Sequence, residues 1–192
     1  ARLPGAEARF LSPDGKPVTT DDGLLGLTPG GSIDAAPDLD VLVVPGGWGT
    51  RALALADEHA ALRAWVRHIA QDAQVVASVC TGSFVLGAAG LLEGKRATTH
   101  WSWVDDLRKW GATPVRERVV DEGSIGTAAG VASGIDMALT LAARLTAPMV
   151  AQAIQLGIEY DPAPPYDAGA PDRAPAEVRS LLEARYRGVE VG

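Results

Sequence analysis

Cysteine is almost missing from this 192-residue chain. Its single thiol, Cys80, can build neither an internal disulfide framework nor a thiolate zinc site. Basic charge is also short: 17 Lys and Arg stand against 24 Asp and Glu, a formal net charge of −7 with a pI near 4.9. That balance disfavours a nucleic-acid partner, because phosphate binding needs a basic face. No apolar run approaches the roughly 18 residues that span a bilayer, and no secretory signal opens the sequence. No membrane partner is therefore expected, and a cytoplasmic location fits best. Histidine occurs only three times, as His59, His68 and His100, without metal-ligand spacing, so no metal site is expected. Hydrophobic residues at 47% and charged residues at 21% are ordinary globular values, which sets aside disorder and fibrous repeats. The length suits one compact domain over residues 1–192. There is no internal repeat.

Along the chain, residues 7–11 read as a short strand. A turn follows at Asp14-Gly15-Lys16-Pro17, and then a weak extended pair around Val18 and residues 24–27. Residues 39–44 form a β-branched run that ends abruptly in Pro45-Gly46-Gly47, the pattern of a parallel strand buried on both faces. Asp57 can cap a helix over 57–70, whose Leu62, Trp65, Val66 and Ile69 share one face while Arg63 and Arg67 point away. A buried strand is expected over 74–79 and an uncharged, buried helix over 81–92. A short strand at 97–99, a Trp-rich helix at 101–110 and a hairpin turning at Asp121-Glu122-Gly123 come next. Helices are expected over 133–145, 148–158 and 175–187. The Pro-rich stretch Asp161 to Tyr166 cannot be helical, so residues 161–192 read as a loop followed by a helix. Strands alternating with helices imply an α/β sandwich with a mostly parallel central sheet.

The chemistry centres on Val75-Val76-Ala77-Ser78-Val79-Cys80-Thr81-Gly82-Ser83. An apolar strand ends on Cys80 and a helix begins at once, with the small residues Ser78 and Gly82 two positions to either side. This is the plan of a nucleophile elbow, in which the tight turn closes only if the flanking side chains are small. A thiol lifted to a helix N-terminus is expected to have a lowered pKa. The alternative is that Cys80 is simply a small buried hydrophobe. In Pro45-Gly46-Gly47 the small residues would let backbone approach the thiol. The N–H groups of Gly47 and Thr81 could then form an oxyanion hole, although an ordinary turn explains the same residues. Trp48, directly after the glycines, could wall a pocket. His100 could serve Cys80 as a base or could only cap the Trp101 helix. Asp136, in the first turn of an apolar helix, suits the helix dipole.

With those residues in view, the chain resembles the ThiJ/PfpI superfamily of class I glutamine-amidotransferase-like domains. The signatures are DVLVVPGG, ASVCTGSFVLGAAGLLEGKRATTHW and GIDMALTLAARL, and the likeness covers nearly the whole chain. The tail AQAIQLGIEYDPAPPYDAGAP is similar to the isocyanide hydratase branch. The resemblance implies a flavodoxin-like three-layer sandwich, a homodimer, no cofactor, and a small-molecule substrate. It also implies Cys80 as nucleophile with Gly47 and Thr81 as backbone donors. From their places in the sequence, Gly46, Trp48 and His100 are expected to bind the substrate. A histidine follows the nucleophile in the proteolytic branch; Thr81 stands there instead, which argues against peptidase chemistry.

The expected reaction is hydration of an isocyanide to an N-formamide through a covalent thioimidate on Cys80. Glyoxalase- or deglycase-type attack on reactive carbonyls is the enzymatic alternative. A ligand- or redox-sensing domain related to those of AraC-type regulators is the non-catalytic one. Members of the superfamily begin with a strand and helix that precede the position of Ala1 and carry an acidic partner for the cysteine, so about 25–30 upstream residues are expected in the natural protein. The Gly-rich stretch that often precedes the helix at 133 reads Thr127-Ala128-Ala129-Gly130 here.

Overall fold

The computed structural model describes residues 3–20, 23–36 and 38–189, with side chains described through residue 186. The N-terminal part carries four two-residue strands: β1 (Leu11–Ser12), β2 (Val18–Thr19), β3 (Gly26–Leu27) and β4 (Gly31–Ser32). β1 pairs with β4 in parallel and β2 with β3 in antiparallel fashion. The run expected as a strand over 7–11 is thus ordered as a ladder only from Leu11. The elements that follow are β5 (Val41–Val44), α1 (Thr50–Leu55), α2 (Ala60–Asp72), β6 (Val75–Val79) and α3 (Gly82–Ala88). After β7 (Arg96–Ala97) comes a 3₁₀ helix over Trp101–Trp110. It leads to β8 (Thr113–Pro114), the hairpin β9 (Val119–Glu122) and β10 (Ile125–Ala128), α4 (Ser133–Leu145), α5 (Pro148–Gly157) and α6 (Ala176–Val189).

The central sheet has the order β5-β6-β10-β9. β6 runs parallel to β5 (Val44 opposite Ser78) and to β10 (Thr127 opposite Ser78), while β9 closes the edge antiparallel. Side chains alternate across β6. Val76 packs with Phe84, Leu86, Leu92 and Leu107 on one face, and Val75 and Ala77 pack with Met137 and Leu141 of α4 on the other. Val66 of α2 closes on Val85 of α3 and on Ala89 at its C-cap, flanked by Leu62 and Trp65 as the helical spacing required. Helices on both faces of a mostly parallel sheet make this a flavodoxin-like α/β sandwich.

Several elements differ from the sequence reading for physical reasons. β5 is not buried on both faces: it is the edge of the four-stranded sheet among the described residues, and Val43 is 48% exposed. Asp57 does not cap α2, which starts at Ala60 after a separate 3₁₀ turn over Asp57–His59. The sequence reading missed α1, a helix of only six residues whose end is broken by the extended Ala56. Arg63 and Arg67 do not simply face water. Arg63 Nη1 donates to the carbonyls of Leu53 and Ala56 (3.0 and 2.7 Å), and Arg67 Nε donates to that of Ala89 (2.8 Å). They thus satisfy acceptors that helix C-termini leave open. The Trp-rich helix keeps its predicted bounds but kinks at Trp103 (φ −125°) and ends on Gly111 in the left-handed region (φ 71°). Asp136 forms an ion pair with Arg118 (2.5 Å).

By compactness the chain divides into Ala1–Gln155 and Leu156–Gly192. In the second unit Arg173 Nε donates to Asp167 (2.6 Å) and Arg179 Nη1 to the Pro171 carbonyl (3.3 Å), which ties the Pro-rich loop to its helix. No helix among the described residues is long and apolar enough to cross a membrane.

Candidate active site

Cys80 sits where β6 hands over to α3, and its backbone is in the left-handed region (φ 56°). A non-glycine residue there costs on the order of 1–3 kcal/mol and persists only where the surroundings over-determine it. Here both ends of the residue are tied down. Its N–H donates to the Ala128 carbonyl of β10 (2.9 Å). Its carbonyl accepts from Thr99 Oγ1 (2.8 Å) and Ser83 Oγ (3.2 Å).

The small residues around the elbow are small for want of space. A Cβ on Gly82 would stand 2.3 Å from the Val44 carbonyl oxygen, and one on Gly46 would stand 2.7 Å from Cys80 Cβ. Ser78 is fully buried, and its Oγ has no hydrogen-bond partner among the described residues. Size rather than hydrogen bonding selects it.

The glycine loop is clamped to the elbow by one hydroxyl. Thr81 Oγ1 accepts from the Gly47 N–H (3.2 Å) and donates to the Gly47 carbonyl (3.0 Å), which Thr50 Oγ1 also reaches (2.8 Å). The Gly47 N–H, which the sequence reading offers to substrate, is therefore engaged with Thr81 in this structure. Thr81 also acts on the sulfur through its N–H, which hydrogen-bonds the Cys80 thiol, while its hydroxyl proton is committed to the Gly47 carbonyl.

The expectation of a lowered thiol pKa is reversed. Burial pushes the Cys80 thiol above its ordinary range, and hydrogen bonding from Thr81 draws it only partly back. The sequence argument relied on the dipole of a helix expected over 81–92. That helix is only the seven residues of α3, and the sulfur beside it is more than half enclosed.

Gly46 lies against Cys80, and Trp48 follows two residues later, 45% exposed. The Trp48 ring meets Trp103 edge-on (5.8 Å between centroids), and Trp103 in turn lies 5.1 Å from the His100 ring. His100 directly follows Thr99, so this aromatic arc links the two segments that hold Cys80. His100 caps the 3₁₀ helix, with Nδ1 accepting from the Ser102 N–H (3.4 Å). Burial lowers its pKa, which keeps the ring neutral. Trp110 packs on Phe84 (5.1 Å) as a core residue. Thr50, Ser83 and Thr99 escaped the sequence reading. The sequence reading placed Thr98 and Thr99 in the strand expected over 97–99; the structure ends that strand at Ala97, and both threonines are 1% exposed.

The DJ-1/PfpI family matches residues 2–144. The chain belongs to that family. It is 49% identical to the isonitrile hydratase of Pseudomonas putida over 187 residues, 97% of this chain and 79% of that protein. A crystal structure of a ThiJ/PfpI family protein from Pseudomonas syringae superposes with a TM-score of 0.89 at 39% identity, covering 96% of this chain and 76% of that one. A deglycase of Thermococcus kodakarensis is 31% identical over 87 residues, 45% of this chain and 51% of its own.

Proposed function

We propose that the protein hydrates isocyanides to N-formamides, with Cys80 as the nucleophile. The observation that carries this reading is the half-buried thiol on a left-handed elbow, beside the Thr81 N–H and the glycine loop that the Thr81 hydroxyl clamps. Similarity to an isonitrile hydratase along almost the whole chain supports the choice of electrophile.

The sulfur adds to the terminal carbon of R–N≡C. As the S–C bond forms, that carbon takes the proton the thiol gives up, leaving a thioimidate. Water then adds to the same carbon, nitrogen takes a proton, and the C–S bond breaks to return Cys80 and release R–NH–CHO. The sum is isocyanide plus water, with no external oxidant or reductant. The Thr81 N–H stabilises the thiolate while it forms and again as it leaves. Gly46 and Gly47 supply a floor of backbone with no side chain in the way. Trp48 and His100, joined through Trp103, form an apolar wall against R.

The protein acts as a cytoplasmic homodimer in this reading, for which light scattering should give about twice the 19.9 kDa of the chain. Cys80→Ala should abolish turnover of p-nitrophenyl isocyanide while circular dichroism and melting stay near wild type. A wild-type protein inert toward several isocyanides but active on methylglyoxal would replace this reading with carbonyl chemistry.

A further inference from the structure

We propose that Thr99 is a positioning residue for the reaction at Cys80, acting through the peptide unit that joins Cys80 to Thr81. The proposal rests on the reading of Cys80 as nucleophile and adds to it a group outside the elbow.

The Cys80 carbonyl and the Thr81 N–H are the two ends of one planar peptide group. Fixing the direction of the carbonyl therefore fixes where the N–H points, and that N–H reaches the sulfur. Two hydroxyls and, more distantly, the Ser83 N–H (3.4 Å) hold the carbonyl. Ser83 Oγ, at 3.2 Å, comes from the same turn and moves with it. Thr99 Oγ1, at 2.8 Å, comes from the segment after β7, nineteen positions away in sequence. It is the shorter bond and the one that ties the elbow to a separate part of the fold.

Thr99 is itself held firmly. It is 1% exposed, and the N–H of its neighbour Thr98 donates to Thr127 Oγ1 of β10 (3.0 Å), directly opposite Ser78 in the sheet. On its other side His100 starts the 3₁₀ helix that carries Trp103. The hydroxyl thus acts from a rigid base, as precise placement of a reacting group requires. Donation to the carbonyl also polarises the amide and makes its N–H a stronger donor, since hydrogen bonds in a chain reinforce one another in a low-dielectric site. The same bond helps hold Cys80 in its left-handed conformation, which aims the thiol.

The test compares Thr99→Val, which keeps the shape and removes the hydroxyl, with Thr99→Ser, which keeps the hydroxyl. Turnover of p-nitrophenyl isocyanide should show kcat reduced about tenfold or more in Thr99→Val, with KM nearly unchanged, because the loss falls on the transition state. Alkylation of Cys80 by iodoacetamide at mildly alkaline pH should slow in Thr99→Val, and Thr99→Ser should restore both rates. Wild-type kcat and alkylation in Thr99→Val would overturn the proposal, as would equal impairment of the two variants, which would point to packing alone. Should Thr99→Val fail to fold, Thr99→Ala is read by the same criteria. Alkylation reports on the thiol without any turnover. If Cys80→Ala kept full activity the nucleophile reading would fall, while the alkylation comparison would still decide the role of Thr99.

Discussion

Replacing Gly82 by alanine puts one methyl group where the structure has no room for it. The new Cβ would lie 2.3 Å from the Val44 carbonyl oxygen and 2.7 Å from that of Pro45, both main-chain atoms at the end of β5. Neither can rotate aside, and β5 is held along its length by β6. Relief must come from α3 backing away from the strand by roughly 1 Å, and Thr81, the residue before Gly82, must follow. The bonds from Thr81 Oγ1 to Gly47 already measure 3.0 and 3.2 Å, so such a retreat breaks the clamp between the glycine loop and the elbow. Overpacking of this kind costs about 1–3 kcal/mol of stability. That corresponds to a melting shift of about 2–4 °C for each kcal/mol in a domain of this size. A displacement of that order at the reacting group lowers kcat/KM by about 10²-fold. Gly87→Ala is the control: its Cβ would meet the Trp110 ring at 2.7 Å, far along α3 from the thiol. It should lose comparable stability with kcat/KM close to wild type. The assay is initial-rate turnover of p-nitrophenyl isocyanide, with thermal denaturation of each variant. Wild-type kcat/KM in Gly82→Ala would refute the reasoning. Equal activity losses in the two variants would do the same, because they would trace the effect to global stability.

Three further outcomes can be checked separately. Thr81→Val removes the hydroxyl that clamps both the N–H and the carbonyl of Gly47 beside the elbow, so kcat should fall about tenfold or more, with Thr81→Ser close to wild type; an unaffected valine variant would dissociate the clamp from catalysis. Because burial raises the Cys80 pKa in the fold, its contribution to stability is complete below the pKa of the unfolded thiol, about 8.5, and is lost as pH rises through the higher folded value. Urea midpoints measured against pH should accordingly decline more steeply in the alkaline range for wild type than for Cys80→Ala, and parallel curves would count against it. Leu86, fully buried between the sheet and the Trp-rich helix, should cost about 2–5 kcal/mol on truncation to alanine, read by urea denaturation; a loss under 1 kcal/mol would contradict the packing described.

Much of this protein was legible in one dimension because the determining forces were local. Residues 74–79 and 133–145 announce their secondary structure through unbroken apolar runs or helical spacing, and the structure places β6 and α4 within a residue of those bounds. The elbow was equally plain: an apolar strand, a lone cysteine and flanking small residues are all neighbours in the chain. Three-dimensional packing decided what the sequence could not carry. The direction of the thiol pKa turned on how much protein closes over Cys80, which is not a property of nearby residues. The partner of the Gly47 N–H lies 34 positions away in Thr81, and the hydroxyl that fixes the Cys80 carbonyl lies 19 positions away in Thr99. A threonine carries no mark of which distant carbonyl it will meet. Local pattern selects the element, and only the closing of the fold selects the partner.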